Sequence, residues 1–170
     1  RVNLDYIKDP RYIGLGNMKR EGSVFGMHFI FHEIPEKYEP FDYDTFFENP
    51  CEFITVVTDV ETGKPAYFDK EELRQHDNTI LEASSSIPGF APVVYYKGKG
   101  YLDGGTTDSI PVRKALEDGC DKVIVVRTRD RGFRKKPEGM SKFYHKKLKD
   151  LPEIVRALEE RHVMYNETVE

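Results

Sequence analysis

The stretch Gly100-Tyr101-Leu102-Asp103-Gly104-Gly105-Thr106-Thr107-Asp108-Ser109-Ile110-Pro111-Val112 ends a short apolar run on a lone carboxylate and follows it with two glycines. Glycines let the backbone turn sharply and leave the aspartate side chain accessible. Asp103 so placed has two uses. It can take a proton as a general base, or it can satisfy amide donors of its own turn as an Asx turn, and the local residues leave both open. Two other groups of residues invite chemistry. His28 and His32 are four apart, so on a helix they share one face and with a third ligand would suit zinc. The sequence suggests no third ligand, and tolerated histidines beside a core stripe are the simpler reading. Ser84, Ser85 and Ser86 offer hydroxyls but lack the strained glycine elbow that exposes a nucleophile, so close backbone packing is the better account of them.

The elements that must position Asp103 follow from the flanks. Val93 to Tyr96 reads as a strand that turns at Lys97-Gly98-Lys99 and returns to Leu102. Pro111 suits a first helical turn, and Val112 to Asp118 continues it with Ala115 and Leu116 as a small apolar face. Phe53 to Thr58 is a β-rich run without clean alternation, as for a strand covered on both faces, and Ala66-Tyr67-Phe68 returns after Thr62-Gly63 as a hairpin partner. Lys122-Val123-Ile124-Val125-Val126 reads as a buried strand completing an αβ unit. In an open α/β sheet this order puts Asp103 at the carboxyl end of a strand, where such folds keep their ligands.

Further elements are expected elsewhere. The residues from Arg1 to Glu21 read as a polar connector, and Val24 to Glu33 as a short buried helix ending before Pro35, although its alternation also permits a strand. Asp42 is placed to cap a helix that runs through Asn49, with Pro50 ending it. Lys70 to Gln75 reads as a short helix, and Asn78 as the cap of another through Ala83. Asp59 reads either as a cleft residue or as a turn carboxylate. Ser141 to Lys149 and Glu153 to Asn166 are predicted helices, the second presenting Ile154, Val155 and Leu158 on one face.

Leu81-Glu82-Ala83-Ser84-Ser85-Ser86-Ile87-Pro88-Gly89-Phe90-Ala91-Pro92-Val93, taken together with the Asp103 block, resembles the patatin-like phospholipases, most strongly between about Cys51 and Lys136. The resemblance implies an α/β fold, a partial three-layer sandwich with a mainly parallel central sheet. It also implies a Ser-Asp dyad in which Asp103 is the base and Gly104 and Gly105 form the supporting turn. Such a dyad hydrolyses acyl esters of lipids without metal or cofactor. Thr58 and Asp59 resemble a family position beside the active cleft. The family's G-x-S-x-G serine and glycine-rich oxyanion loop are missing from these residues. Gly22-Ser23-Val24-Phe25-Gly26 has its serine one place early, and Gly14-Leu15-Gly16 has no strand before it. The expectation is therefore a fragment from the central to C-terminal part of a catalytic domain, carrying the base without the nucleophile and inactive alone.

A chain of 170 residues with 38% apolar content fits a single domain over 1–170. Cys51 and Cys120 each lie beside an apolar run and read as small buried thiols, which favours a reducing compartment. No apolar run has the length of a membrane span, so a cytoplasmic protein with peripheral membrane contact is expected. The net charge of −4 hides an asymmetry: residues 127–149 hold ten Lys and Arg against only Asp130 and Glu138. Arg127, Arg129 and Arg131 are accordingly candidates for contact with anionic lipid headgroups, although a solvated basic loop would look the same. Nucleic acid is a poorer partner, because no stacking aromatics are interleaved with the charges. Two rival functions stand beside the hydrolase. One is a non-catalytic relative that docks on membranes. The other is a phosphate-binding kinase or ATPase, for which Val112 to Glu117 should form a strand.

Overall fold

The computed structural model describes residues 2–170; Arg1, at the start of the expected connector, lies outside the described residues. Its centre is a four-stranded sheet in the order β2-β1-β4-β3, with β1 at Ile54–Asp59, β2 at Pro65–Asp69, β3 at Val94–Tyr96 and β4 at Lys99–Asp103. Every neighbouring pair is antiparallel, which corrects the expectation of a mainly parallel sheet. The turns explain this. Lys97 and Gly98 both have positive φ, 48° and 80°, the two-residue geometry that folds β3 directly back onto β4. Asp59 closes the other hairpin, its Oδ1 accepting from the Glu61 and Thr62 amides at 2.9 Å, while Gly63 takes φ 62°. Asp59 is thus a turn carboxylate.

A parallel strand would have had to come from Lys122–Val126, and there the structure departs most from expectation. The segment forms no strand, and Ile124 and Val126 are 92% and 91% exposed. β-branched residues make a strand only where a neighbouring strand pairs with them, and none does so here among the described residues. Cys51 and Cys120 are also exposed, because the apolar runs beside them do not close over them.

Helices cover both faces of the sheet. α1 (Val2–Tyr6), α2 (Leu15–Glu21) and α3 (Tyr43–Glu48) precede it, α4 (Thr79–Ser84) and α5 (Val112–Glu117) flank the β3–β4 hairpin, and α6 (Ser141–Lys147) and α7 (Pro152–Thr168) follow. Val57, Val94 and Tyr101 pack with Ala83 of α4 on one face. Leu102, the next residue along β4, points the other way and packs with Tyr144, Leu148, Ile154, Val155 and Leu158 of the α6–α7 pair. Asp42 caps α3 as expected, its Oδ1 accepting from the Thr45 amide at 3.0 Å. Asn78 does not cap α4. It is buried, and its amide donates to the Phe31 carbonyl at 2.9 Å and the Tyr43 hydroxyl at 2.7 Å. α5 is helical as expected but contributes no buried residue, and Leu116 is exposed. The expected connector forms two short helices instead.

Between α2 and α3 the chain forms a wide helix, Phe29–Tyr38, that runs through Pro35 rather than ending before it. The Glu39 amide reaches back five residues to the Ile34 carbonyl at 2.8 Å, so the widened turn absorbs the proline. This helix settles the histidine pair. The His28 and His32 rings stack with centroids 5.2 Å apart, and His32 Nε2 meets Glu82 Oε2 of α4 at 2.9 Å. The Glu82 hydrogen bond raises the His32 pKa above its ordinary value, partly opposed by burial. A base with a raised pKa adds stability that is fully present below its unfolded value near ~6.5 and is lost as pH rises through the folded value. Thermal melts are therefore expected to show stability falling as pH rises above about 6.5, by roughly 1 kcal/mol or less for a part-exposed pair. Glu82→Gln should flatten that slope. An unchanged pH slope in the variant would show that the contact contributes nothing.

Candidate active site around Asp103

Asp103 is the last residue of β4, opposite Val57 of β1, and a single 3-10 turn, Gly104–Thr106, follows it. Two hydrogen bonds beyond the strand ladder hold its backbone. Its amide donates to the Ser86 carbonyl at 2.9 Å, which ties the aspartate to the serine run after α4. Its carbonyl accepts from Thr58 Oγ1 at 2.8 Å, and the same hydroxyl meets Thr107 Oγ1 at 2.8 Å. Thr58 is 0% exposed, so these are desolvated bonds that hold the strand end and the turn together. Gly104 then passes so close to β1 that a Cβ there would lie 2.2 Å from the Val56 carbonyl oxygen. The second glycine, Gly105, donates its amide to Asp103 Oδ1 at 2.6 Å, and its carbonyl accepts from Ser109 Oγ at 2.8 Å.

The side chain is half-buried, with Oδ1 committed to the turn and Oδ2 free of hydrogen bonds among the described residues. One oxygen thus closes an Asx-type turn, and the other is left without a hydrogen bond among the described residues. Burial raises the Asp103 pKa above the ordinary carboxylate value, against the opposing pull of the Gly105 amide and of the positive charges of Arg161 and Lys135. A carboxylate with raised proton affinity, an uncommitted oxygen and a rigid backbone is suited to accept a proton from a nearby hydroxyl.

Of the serine run, Ser84 and Ser86 make structural hydrogen bonds, whereas Ser85 is exposed. Ser84 Oγ donates to the Val56 carbonyl of β1 at 2.7 Å, tying α4 to the sheet, and Ser86 Oγ donates back to the Glu82 carbonyl of α4 at 2.9 Å. Ser23 is buried and accepts from the Phe25 amide at 3.1 Å. The helical state of α5 removes the structural requirement of the phosphate-loop rival.

The basic segment is separated by the fold into different roles. Arg127 is half-buried and donates to the Asp130 and Arg131 carbonyls at 3.3 Å and to the Tyr165 hydroxyl at 3.4 Å. Arg129 and Arg131 are both exposed, and of the two Arg129 lies over the Phe133 ring at 5.3 Å. Lys135 and Arg161, whose charges oppose the effect of burial at Asp103, were not distinguishable in the sequence from other cations in basic stretches. Their signal is purely spatial, because α7 brings Arg161 to the turn and holds the Lys135 loop beside it.

A family model for patatin-like phospholipase matches residues 15–116, a span that includes the whole Asp103 turn. Over 132 residues the chain is 34% identical to the uncharacterised protein YjjU of Escherichia coli strain K12, an alignment covering 75% of this chain and 36% of that protein. The chain therefore spans little more than a third of that relative's length. No solved structure matches it. With more than half of its residues inside the family match, the chain belongs to the patatin-like phospholipase family.

Proposed function

We propose that this chain is the central to C-terminal part, as one domain, of a serine acyl hydrolase acting on lipid esters, and that Asp103 is its general base. The observation that carries the reading is the fixed, half-buried carboxylate at the end of β4, with one oxygen on the Gly105 amide and the other uncommitted. The serine is supplied by a part of the protein outside these residues, since no G-x-S-x-G elbow occurs in them.

In the proposed cycle Asp103 removes the serine proton as Oγ attacks the acyl carbonyl, and backbone amides hold the resulting oxyanion. The tetrahedral intermediate collapses to an acyl-enzyme, and the proton passes from Asp103 to the departing alcohol. Asp103 then deprotonates a water that attacks the acyl-enzyme, releasing the fatty acid and restoring the serine. Among the described residues no helix is long and apolar enough to cross a membrane, and contact with lipid is proposed to be peripheral, through the basic loop. The test is hydrolysis of a chromogenic acyl ester by the complete protein and by this chain. The complete protein should turn over and the chain alone should not. Absence of turnover by the complete protein would favour a non-catalytic docking relative, and turnover by the chain alone would place the nucleophile within it.

A further inference from the structure

Beside the Asp103 turn lies a cleft of about 310 Å³, whose lining includes Ser109, Ile110, Arg127, Arg129, Lys135 and Tyr165. This volume falls at the lower end of small-molecule sites, about 300–1,000 Å³. Among the described residues no carboxylate forms a close ion pair with any of its three cations, although the Asp103 and Glu138 charges act on Lys135 from farther away. The Arg127 Nε is moreover buried without a hydrogen-bond partner. A donor left unmade in this way is costly unless a ligand satisfies it.

The lining is held in place, unlike a solvated basic loop. Asn166 of α7 clasps the Lys135 backbone from both sides, accepting from its amide at 2.8 Å and donating to its carbonyl at 3.0 Å. Tyr165, the preceding residue, accepts from Arg127 and carries the Lys135 ammonium over its ring at 4.8 Å. Lys135 is half-buried and its pKa is lowered, by burial and then by the like charge of Arg161. A desolvated ammonium and two planar guanidinium forks around one space match the charge and oxygen geometry of a phosphate group.

We propose that Arg127, Arg129 and Lys135, with Ser109 and the Tyr165 hydroxyl, form a phosphate-binding site alongside Asp103. The phosphate belongs either to the headgroup of a glycerophospholipid or to a free phosphate ester. The site deepens the hydrolase reading by making the substrate an anionic ester whose phosphate is held next to the base. Apart from Ser109, its residues fall outside the span matched by the family model.

The proposal is tested by calorimetric titration of the chain with inorganic phosphate and with glycerophosphoglycerol, a soluble diester. Sedimentation with vesicles of phosphatidylglycerol in phosphatidylcholine is run alongside. Saturable binding of phosphate is expected, weakened about tenfold or more in Arg127→Met, Arg129→Met and Lys135→Met, each with an unchanged melting curve, whereas exposed Arg131→Met binds as the parent. A headgroup site binds the diester more tightly than phosphate, and phosphate displaces the chain from vesicles. A free-ester site binds phosphate at least as tightly and leaves the vesicles unbound. No saturable binding of either soluble ligand, or equal loss in Arg131→Met and Arg127→Met, would overturn the proposal. Binding is independent of the nucleophile: its absence together with Asp103-dependent hydrolysis by the complete protein refutes the cleft alone, and its presence with Asp103-independent hydrolysis refutes the hydrolase reading alone.

Discussion

Asp103→Asn is expected to slow ester hydrolysis by the complete protein by about 10²–10⁴-fold, the contribution of a positioned general base, and at the same time to raise the melting temperature. The two effects have one cause. Burial raises the carboxyl pKa, so the folded state holds the proton more tightly than the unfolded chain does. The stability from such a group is fully present below the unfolded value near ~4 and is lost as pH rises through the folded value. At neutral pH the charged carboxylate is therefore a burden on the fold. Asparagine keeps the shape and can still accept from the Gly105 amide, but carries no charge. Acid stability should be little changed, and the gain should grow as pH rises above the unfolded value near ~4. The same raised pKa should displace the acidic limb of the rate profile upward from ~4. Equal hydrolysis rates for the two proteins would remove Asp103 from the mechanism. A lowered melting temperature would mean that Arg161 and Lys135 hold the carboxylate more strongly than burial opposes it.

Gly104→Ala is expected to destabilise the chain by about 3 kcal/mol, the upper part of the range for forcing atoms into a packed site, or roughly 6–12 °C in melting temperature. The added Cβ would lie 2.2 Å from the Val56 carbonyl oxygen and 2.5 Å from its carbon. These are backbone atoms of the adjoining strand, so no side-chain rotation relieves the clash and the turn must lift off β1. Gly105→Ala is the contrasting variant. Its Cβ would meet Asp103 Oδ1 at 3.0 Å and Ser109 Oγ at 3.8 Å, both ends of side chains that can shift. It should cost less in folding and more in hydrolysis, because what shifts is the carboxylate itself. Urea unfolding of both variants checks this, and an unchanged midpoint for Gly104→Ala would show that the turn is not seated on β1.

Local features were legible from residues wherever neighbours in sequence are also neighbours in space. Thr62-Gly63 and Lys97-Gly98 mark the two hairpins, Asp42 its helix, and the spacing of Ile154, Val155 and Leu158 the buried stripe of α7. The Asp103 turn could be read for the same reason, since its glycines and its carboxylate bond to one another. What resisted reading depends on partners brought in from elsewhere. Val123 to Val126 has the composition of a buried strand, but composition reports a preference for pairing and not the presence of a pair. Strand direction was hidden for a related reason, being fixed by turn geometry while the β-rich runs themselves are neutral. Thr58 was marked by family resemblance, yet its bonds to Asp103 and Thr107 lie across the sheet and have no sequence period. Asp42 and Asn78 look like equivalent caps. Only the approach of Phe31 and Tyr43 diverts the second one.

The path of α7 has a consequence for how this site can change. Arg161 reaches toward the aspartate, and one turn later Tyr165 and Asn166 hold the loop that carries Lys135. Where the carboxylate stands is decided by β1 and β4, whereas how readily it takes a proton is adjusted by a separate helix near the other end of the chain. Substitutions along one face of that helix can thus retune acidity while leaving the placement of the reacting atom untouched, which makes the two properties separately adjustable by selection or by design.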